Sequence, residues 1–126
     1  MTSPFQNAIN AAFRDINAFA GESVTYRRGS ASAVVTAVVA PKDYEAVAGY
    51  DAVETIHCHD WLIVAADLEL IDLTDPDNPV TTLVLPAIGD TLTDGSGTVY
   101  QVLMVPGRNV YDETRGRLTI HTKVIA

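Results

Sequence analysis

Apolar residues recur at steps of three and four through the first twenty positions: Phe5, Ile9, Ala12, Phe13, Ile16, then Phe19 or Ala20. That spacing gathers them on one stripe of a helix and leaves Asn7, Asn10, Arg14, Asp15 and Asn17 off it. Ser3, Pro4 and Gln6 have the order of a capping box with proline at the first helical position, and Gly21 suits the residue just past the C-cap. The pattern predicts an amphipathic α-helix over 3–20.

From Glu22 the period falls from 3.6 to 2 and β-branched residues take over. Val24 and Tyr26 alternate with Ser23, Thr25 and Arg27, and Arg28-Gly29-Ser30 supplies a turn. Ala31 to Ala40 reads as a strand covered on both faces, because Val34, Val35, Val38 and Val39 point both ways, and Pro41 is expected to end it. Pro41 to Val53 reads as a protruding loop or a short distorted strand. Thr55 to Val64 is a strand, residues 65–70 are ambiguous, and Asp72 to Pro79 (DLTDPDNP) is a turn cluster. Val80 to Leu85, Thr91 to Thr93 and Thr98 to Val105 read as strands, the last two joined by the hairpin turn Asp94-Gly95-Ser96-Gly97. Arg108 to Gly116 reads as a loop around Tyr111. Arg117 to Ile125 reads as a half-exposed strand, with Leu118, Ile120 and Val124 facing one way and Arg117, Thr119, His121 and Lys123 the other.

One helix followed by six to seven short antiparallel strands predicts a mainly β fold, a small β-barrel or sandwich with the helix packed on it. No repeat or linker divides the chain, so a single domain over 1–126 is expected, with the barrel or sandwich over 22–126. At 126 residues a sizeable core can form without staples, and one cysteine, Cys58, excludes a disulfide-built scaffold. The formal net charge is −8, with 8 basic against 16 acidic residues. A protein held by phosphate neutralisation would need the opposite sign, so nucleic acid can pass this chain without being gripped. No apolar run is long enough for a membrane span and no signal-peptide order opens the sequence, so a soluble protein of the cytoplasm is expected.

Candidate chemistry is sparse. His57 and His59 lie two apart on a strand and could share a metal, with His121 as a third ligand. The alternative is two half-exposed histidines at a strand edge with Cys58 turned inward as a small apolar residue, and no second Cys/His pair favours the metal. Asp72, Asp75, Asp77 and Asn78 lack the glycine and closing glutamate of a calcium loop and read as a solvated turn. Ser96 sits between glycines but is followed by a strand rather than a helix, so it is hairpin chemistry and not a nucleophile elbow. No catalytic residue, metal or cofactor is expected. Arg27-Arg28, Arg115, Arg117 and Lys123 are the concentrated positive charge, at solvated strand ends or facing an acidic surface of a neighbouring copy. Tyr44, Tyr50 and Tyr111 lie in otherwise polar segments where amphipathic rings suit subunit contacts, and with Arg108 and Arg115 they are the candidate interface residues.

Taken in order, several pieces resemble the small head-tail joining (neck, head-completion) proteins of tailed phages and prophages. They are the N-terminal apolar stripe, Thr25-Tyr26-Arg27-Arg28-Gly29 before a valine-rich strand, Asp60-Trp61-Leu62-Ile63, and Pro86 ahead of Gly89-Asp90-Thr91-Leu92. Gly97 with Tyr100-Gln101-Val102 and the ending Arg117-Leu118-Thr119-Ile120-His121-Thr122-Lys123 complete the series. Residues 41–53 and 72–79 fall outside it. The resemblance implies a virion protein at the head-tail interface, without catalysis. It would assemble as a homo-oligomeric ring beneath the portal, retain DNA that passes through without specific binding, and dock tail proteins. The alternatives are a tail-terminator or tail-completion ring, and a metal-binding β-barrel enzyme using His57 and His59.

Overall fold

The computed structural model describes residues 21–47 and 53–126. Among these, nine strands follow one another: β1 (Glu22–Arg28), β2 (Ala31–Val47), β3 (Val53–Val64), β4 (Glu69–Asp72), β5 (Val80–Leu83), β6 (Thr91–Thr93), β7 (Val99–Val102), β8 (Tyr111–Thr114) and β9 (Arg117–Val124). Six of them close into an antiparallel barrel in the order β1-β6-β7-β9-β3-β2, because β2 pairs back onto β1. The β4–β5 hairpin extends from β2 as a wing, and β8 pairs with β9. Closure removes most of the open strand edges that a small sheet would otherwise present to other chains.

The period-2 pattern decides what fills the barrel. Val24 and Tyr26 of β1, Val35 and Ala37 of β2, Trp61 and Ile63 of β3, Leu92, Tyr100, Val102, Leu118 and Ile120 are all buried in one cluster. Trp61 and Ile120 are cross-strand partners, and Trp61 meets Tyr100 edge to face with ring centroids 5.1 Å apart. Each fully buried aliphatic or aromatic side chain stabilises the fold by about 1.5–3 kcal/mol, so these positions carry most of the favourable free energy. Leu68 and Leu70 extend the cluster under the wing.

The barrel agrees with expectation, while several elements differ. The helix expected over 3–20 lies outside the described residues, which hold no α-helix; their one helical piece is a 3-10 turn at Ala65–Asp67. Pro41 does not end β2, which runs on to Val47 paired with β3. Beyond Ala37 the β1 side of β2 has no strand partner among the described residues, and an edge is where a proline without N–H is tolerated. Thus 42–47 and 53–58 form a two-stranded arm, a regular ribbon in place of the protruding loop or short distorted strand, while 38–41 and 59–62 stay in the barrel wall. Val34 is exposed, because β2 is covered on one face only there. The segment 108–116 contains β8, joined to β9 by Arg115-Gly116, whose φ values of 54° and 79° are those of a two-residue hairpin turn. β9 departs from simple alternation: His121 and Thr122 are buried and Val124 is exposed.

The barrel closes where β6, only three residues long, meets β1 through Thr25↔Thr93, Tyr26↔Leu92 and Arg27↔Thr91. Asp90, just before β6, reinforces that joint. Gly89, with φ 94°, turns the chain so that the Asp90 side chain points inward, where the residue is 4% exposed. The carboxylate accepts the Tyr26 hydroxyl, the Ala87 N–H at 3.0 Å, and a bidentate pair from Arg28 at 2.9 and 2.7 Å. Burial pushes this carboxyl up, but the hydrogen bonds from Arg28, Tyr26 and Ala87, with the guanidinium charge, outweigh it and hold it below the usual range. The Tyr26 hydroxyl is pushed up by burial and by Asp90, and remains a donor.

Replacing Asp90 by alanine strands the buried Tyr26 hydroxyl and one end of Arg28, and is expected to cost about 3 kcal/mol in urea unfolding. A depressed native pKa means that Asp90 stabilises above its unfolded value near 4 and that the gain is lost as pH falls through the lower native value. The stability gap between wild type and Asp90→Asn should therefore be full at pH 7 and shrink below about pH 4; a gap that widens on acidification would contradict the assignment.

Candidate functional site

A second cluster lies on the outer face of the barrel wall. Tyr44, Cys58, Asp60 and His121 share that face, because Asp60 and His121 are direct partners on β3 and β9 while Ile56, Cys58 and Asp60 alternate along β3. The chain after β7 crosses over them. Leu103 N–H binds the His121 carbonyl at 3.0 Å, Val105 is buried against Tyr44 and Cys58, and Ile56 and Leu103 pack at the margin. The root of the arm is thus held to the barrel by a small core of its own.

Its centre is polar. The Tyr44 hydroxyl donates to Asp60 Oδ2, and His121 Nδ1 lies 3.0 Å from Asp60 Oδ1 and 3.2 Å from the Tyr44 oxygen. His121 Nε2 is 3.5 Å from the Asp112 carboxylate, and the Arg108 guanidinium stands 4.7 Å over the Tyr44 ring. Burial, then the hydrogen bond and charge of Asp60, push the Tyr44 hydroxyl up against a smaller opposing effect of Arg108, so the phenol stays protonated and donating. His121 is 1% exposed and Asp60 6%. A tyrosine and a histidine that share one buried carboxylate make a polar pin between β2, β3 and β9; at that burial neither side chain meets a reactant.

The other candidates separate. His57 is exposed and pairs with Asp43 at 2.8 Å, whereas His59, two residues further along β3, stacks edge to face on Tyr100. His121 looks instead to Asp60, so the three histidines do not meet. Among the described residues no group of three or more His, Cys, Asp or Glu converges as metal ligands would. Cys58 is buried, and burial, then the charges of Asp60 and Asp43, push its thiol up. The acidic turn spends its carboxylates locally: Asp72 accepts from Thr74 and Ser30, and Asp75 from the Asp77 N–H and Asn78. Ser96 donates to Asp94 at 2.8 Å within its hairpin.

Of the candidate interface residues, Tyr44 is covered by its own chain and Arg108 lies on it. Tyr111 is half-buried at the start of β8, beside an open groove of about 810 Å³ lined also by Pro86, Asn109, Asp112 and Glu113. Arg115 occupies the β8–β9 turn, and Tyr50 lies outside the described residues. The buried roles of Asp60, Asp90 and His121 escape a reading of pattern alone, His121 having entered only as a possible third metal ligand. The one available signal was a polar residue next to a large apolar one within a strand, as in Asp60-Trp61 and Ile120-His121.

Among the described residues, a closed antiparallel barrel whose buried carboxylates, Asp60 and Asp90, are each held by neighbouring side chains defines the chain as a small β-barrel protein. The family model described as phage head-tail joining protein matches residues 3–126. The chain belongs to that family, whose members are structural proteins of the phage virion at the junction of head and tail, not enzymes. No curated protein matches the sequence. No helix among the described residues is long and apolar enough to cross a membrane.

Tyr44→Phe leaves one Asp60 oxygen without its donor and should cost about 1–2 kcal/mol. The loss should be local: amide exchange rises in 40–47 and 53–58 while β1, β6 and β7 keep their protection, and unchanged exchange in the arm would contradict the pin. The Cys58 thiol should react with a thiol reagent at pH 8 far more slowly in the native protein than in urea; equal rates would show that the small core is open.

Proposed function

We propose that the chain is a head-completion subunit, repeated as a ring beneath the portal, through which DNA passes and onto which the tail docks. Membership of the head-tail joining family carries this reading. The charge distribution supports it: between Lys42 and Arg108 there is no lysine or arginine, so most of the chain offers phosphate nothing to bind. The polar residues that could suggest chemistry are committed to holding β1 to β6 and the arm to the barrel.

In this reading the arm and the segment 106–116 make the contacts with neighbouring copies, the portal and the tail. Tyr111 and Arg115, with Tyr50, which lies outside the described residues, are the side chains offered for them, while Arg108 and Tyr44 act from behind by fixing the arm's root. Before assembly the protein resides in the host cytoplasm.

Particles made without this protein should contain full-length tails and filled heads that stay separate and lose DNA, and adding the purified protein should join them. Joined, infectious particles at wild-type yield in its absence would overturn the proposal. Tyr111→Ser with Arg115→Ser should reduce joining by more than any loss of folded protein accounts for, read on samples matched for folded fraction by circular dichroism.

A further inference from the structure

The wing and the barrel wall that continues from it through β2 carry unlike surfaces that suit one another. On the wing's outer face, register places Ile71 beside Ser32 of β2 and Thr81 of β5, and Glu69 beside Leu83. Val34, Ile71 and Leu83 are exposed at 73%, 43% and 62%, with a depression of about 430 Å³ between Val34, Ala66 and Ile71. Large apolar side chains exposed on one face, with acids around them, mark a contact surface more than a solvated one. The acids are Glu69, Asp72, Asp75 and Asp77, and none has a lysine or arginine partner among the described residues.

Past Ser32 and Val34, which pair with Arg27 and Thr25, strands β1, β6, β7 and β9 set two outward rows in register. One is Arg27, Thr91, Gln101 and Lys123; the other is Thr25, Thr93 and Val99, continued by Ile125, whose N–H binds the Val99 carbonyl. Neither row holds a carboxylate. Arg27 and Lys123 are exposed at its two ends and make no ion pair among the described residues, and Ile125 is half exposed.

We propose that the wing of one copy seats on the β1–β6–β7–β9 wall of the next. The occupant is a second copy because opposite charge and apolar surface are both present on every chain, on two unlike patches that adjoin at β2. A contact between unlike patches repeats head to tail and closes as a ring when the rotation allows. Charge sets which patch meets which, and the apolar side chains, once covered, supply affinity. This rests on the ring reading and names the surfaces that build it.

The test reverses charge on each side in the full chain. Asp75→Lys with Asp77→Lys, and separately Arg27→Glu with Lys123→Glu, should each lower joining of heads to tails at least about tenfold, since like charges then face each other at every contact. All four changes in one chain should bring joining back to within about threefold of wild type. A four-change protein that melts like wild type yet joins no better than the worse pair would overturn the contact, as would either pair joining normally. If a reversed protein does not fold, a photo-crosslinker at position 83 in otherwise wild-type particles decides. Attachment to 91–101 or 117–126 of a neighbouring copy supports the proposal, and attachment only to portal or tail proteins overturns it. Wild-type chain absent from the junction would sink the ring reading itself; wild type present with no rescue sinks only the wing–wall contact.

Discussion

The buried Asp90 carboxylate is the constraint on which the rest of this structure depends. A six-strand barrel is only as secure as its last joint, and here that joint is the meeting of β1 with a three-residue strand. Three register pairs give few ladder hydrogen bonds, so side chains extend the joint: Tyr26 and Arg28, two apart on β1, both reach the residue that precedes β6. Opening it would expose the edges of β1 and β6 together and release Tyr26, Leu92 and Tyr100 from the core. The charge is tolerated inside because four donor contacts from three residues replace the water it lost.

The same economy governs the outer cluster. A two-stranded ribbon alone is marginal in water, and the β2–β3 arm extends past the strands that flank it in the barrel. Its root is therefore secured by a core of a few apolar side chains around one carboxylate, roofed by the chain between β7 and β8. Past Cys58 no further strand flanks the described part of the arm, which is where the proposed contacts with other subunits fall. Function in a protein of this kind lies in which surfaces are rigidly presented and to whom, rather than in a reactive group.

Much of this was legible before any coordinates. Alternation picked out Val24, Tyr26, Leu118 and Ile120 as core, the glycine and proline clusters marked the turns, and the ordered short pieces pointed to the family. Two of the pieces in that resemblance, Tyr26-Arg27-Arg28-Gly29 and Gly89-Asp90, turn out to touch. Pairing across 62 or 64 residues leaves no trace in local spacing, so that contact could not be read. Pro41 misled because proline forbids a central strand but not an edge. His121 and Tyr44 misled because their burial comes from a crossing segment on the outside of the barrel, a feature period-2 reasoning cannot express. Val34 misled in the opposite sense: a valine-rich strand suggests two covered faces, and one of them here is bare.

What ties these features together is a barrel closed by Asp90 that displays an arm, a wing and a polar wall at the head-tail junction. The most direct test is a cryo-electron microscopy reconstruction of the neck in intact virions of the phage that encodes the chain. The account predicts a closed ring of these barrels between portal and tail, each in contact with two neighbours, with DNA or an open channel on the axis and no side chain gripping it. A neck built without this chain, or holding it as isolated single copies, would contradict the account.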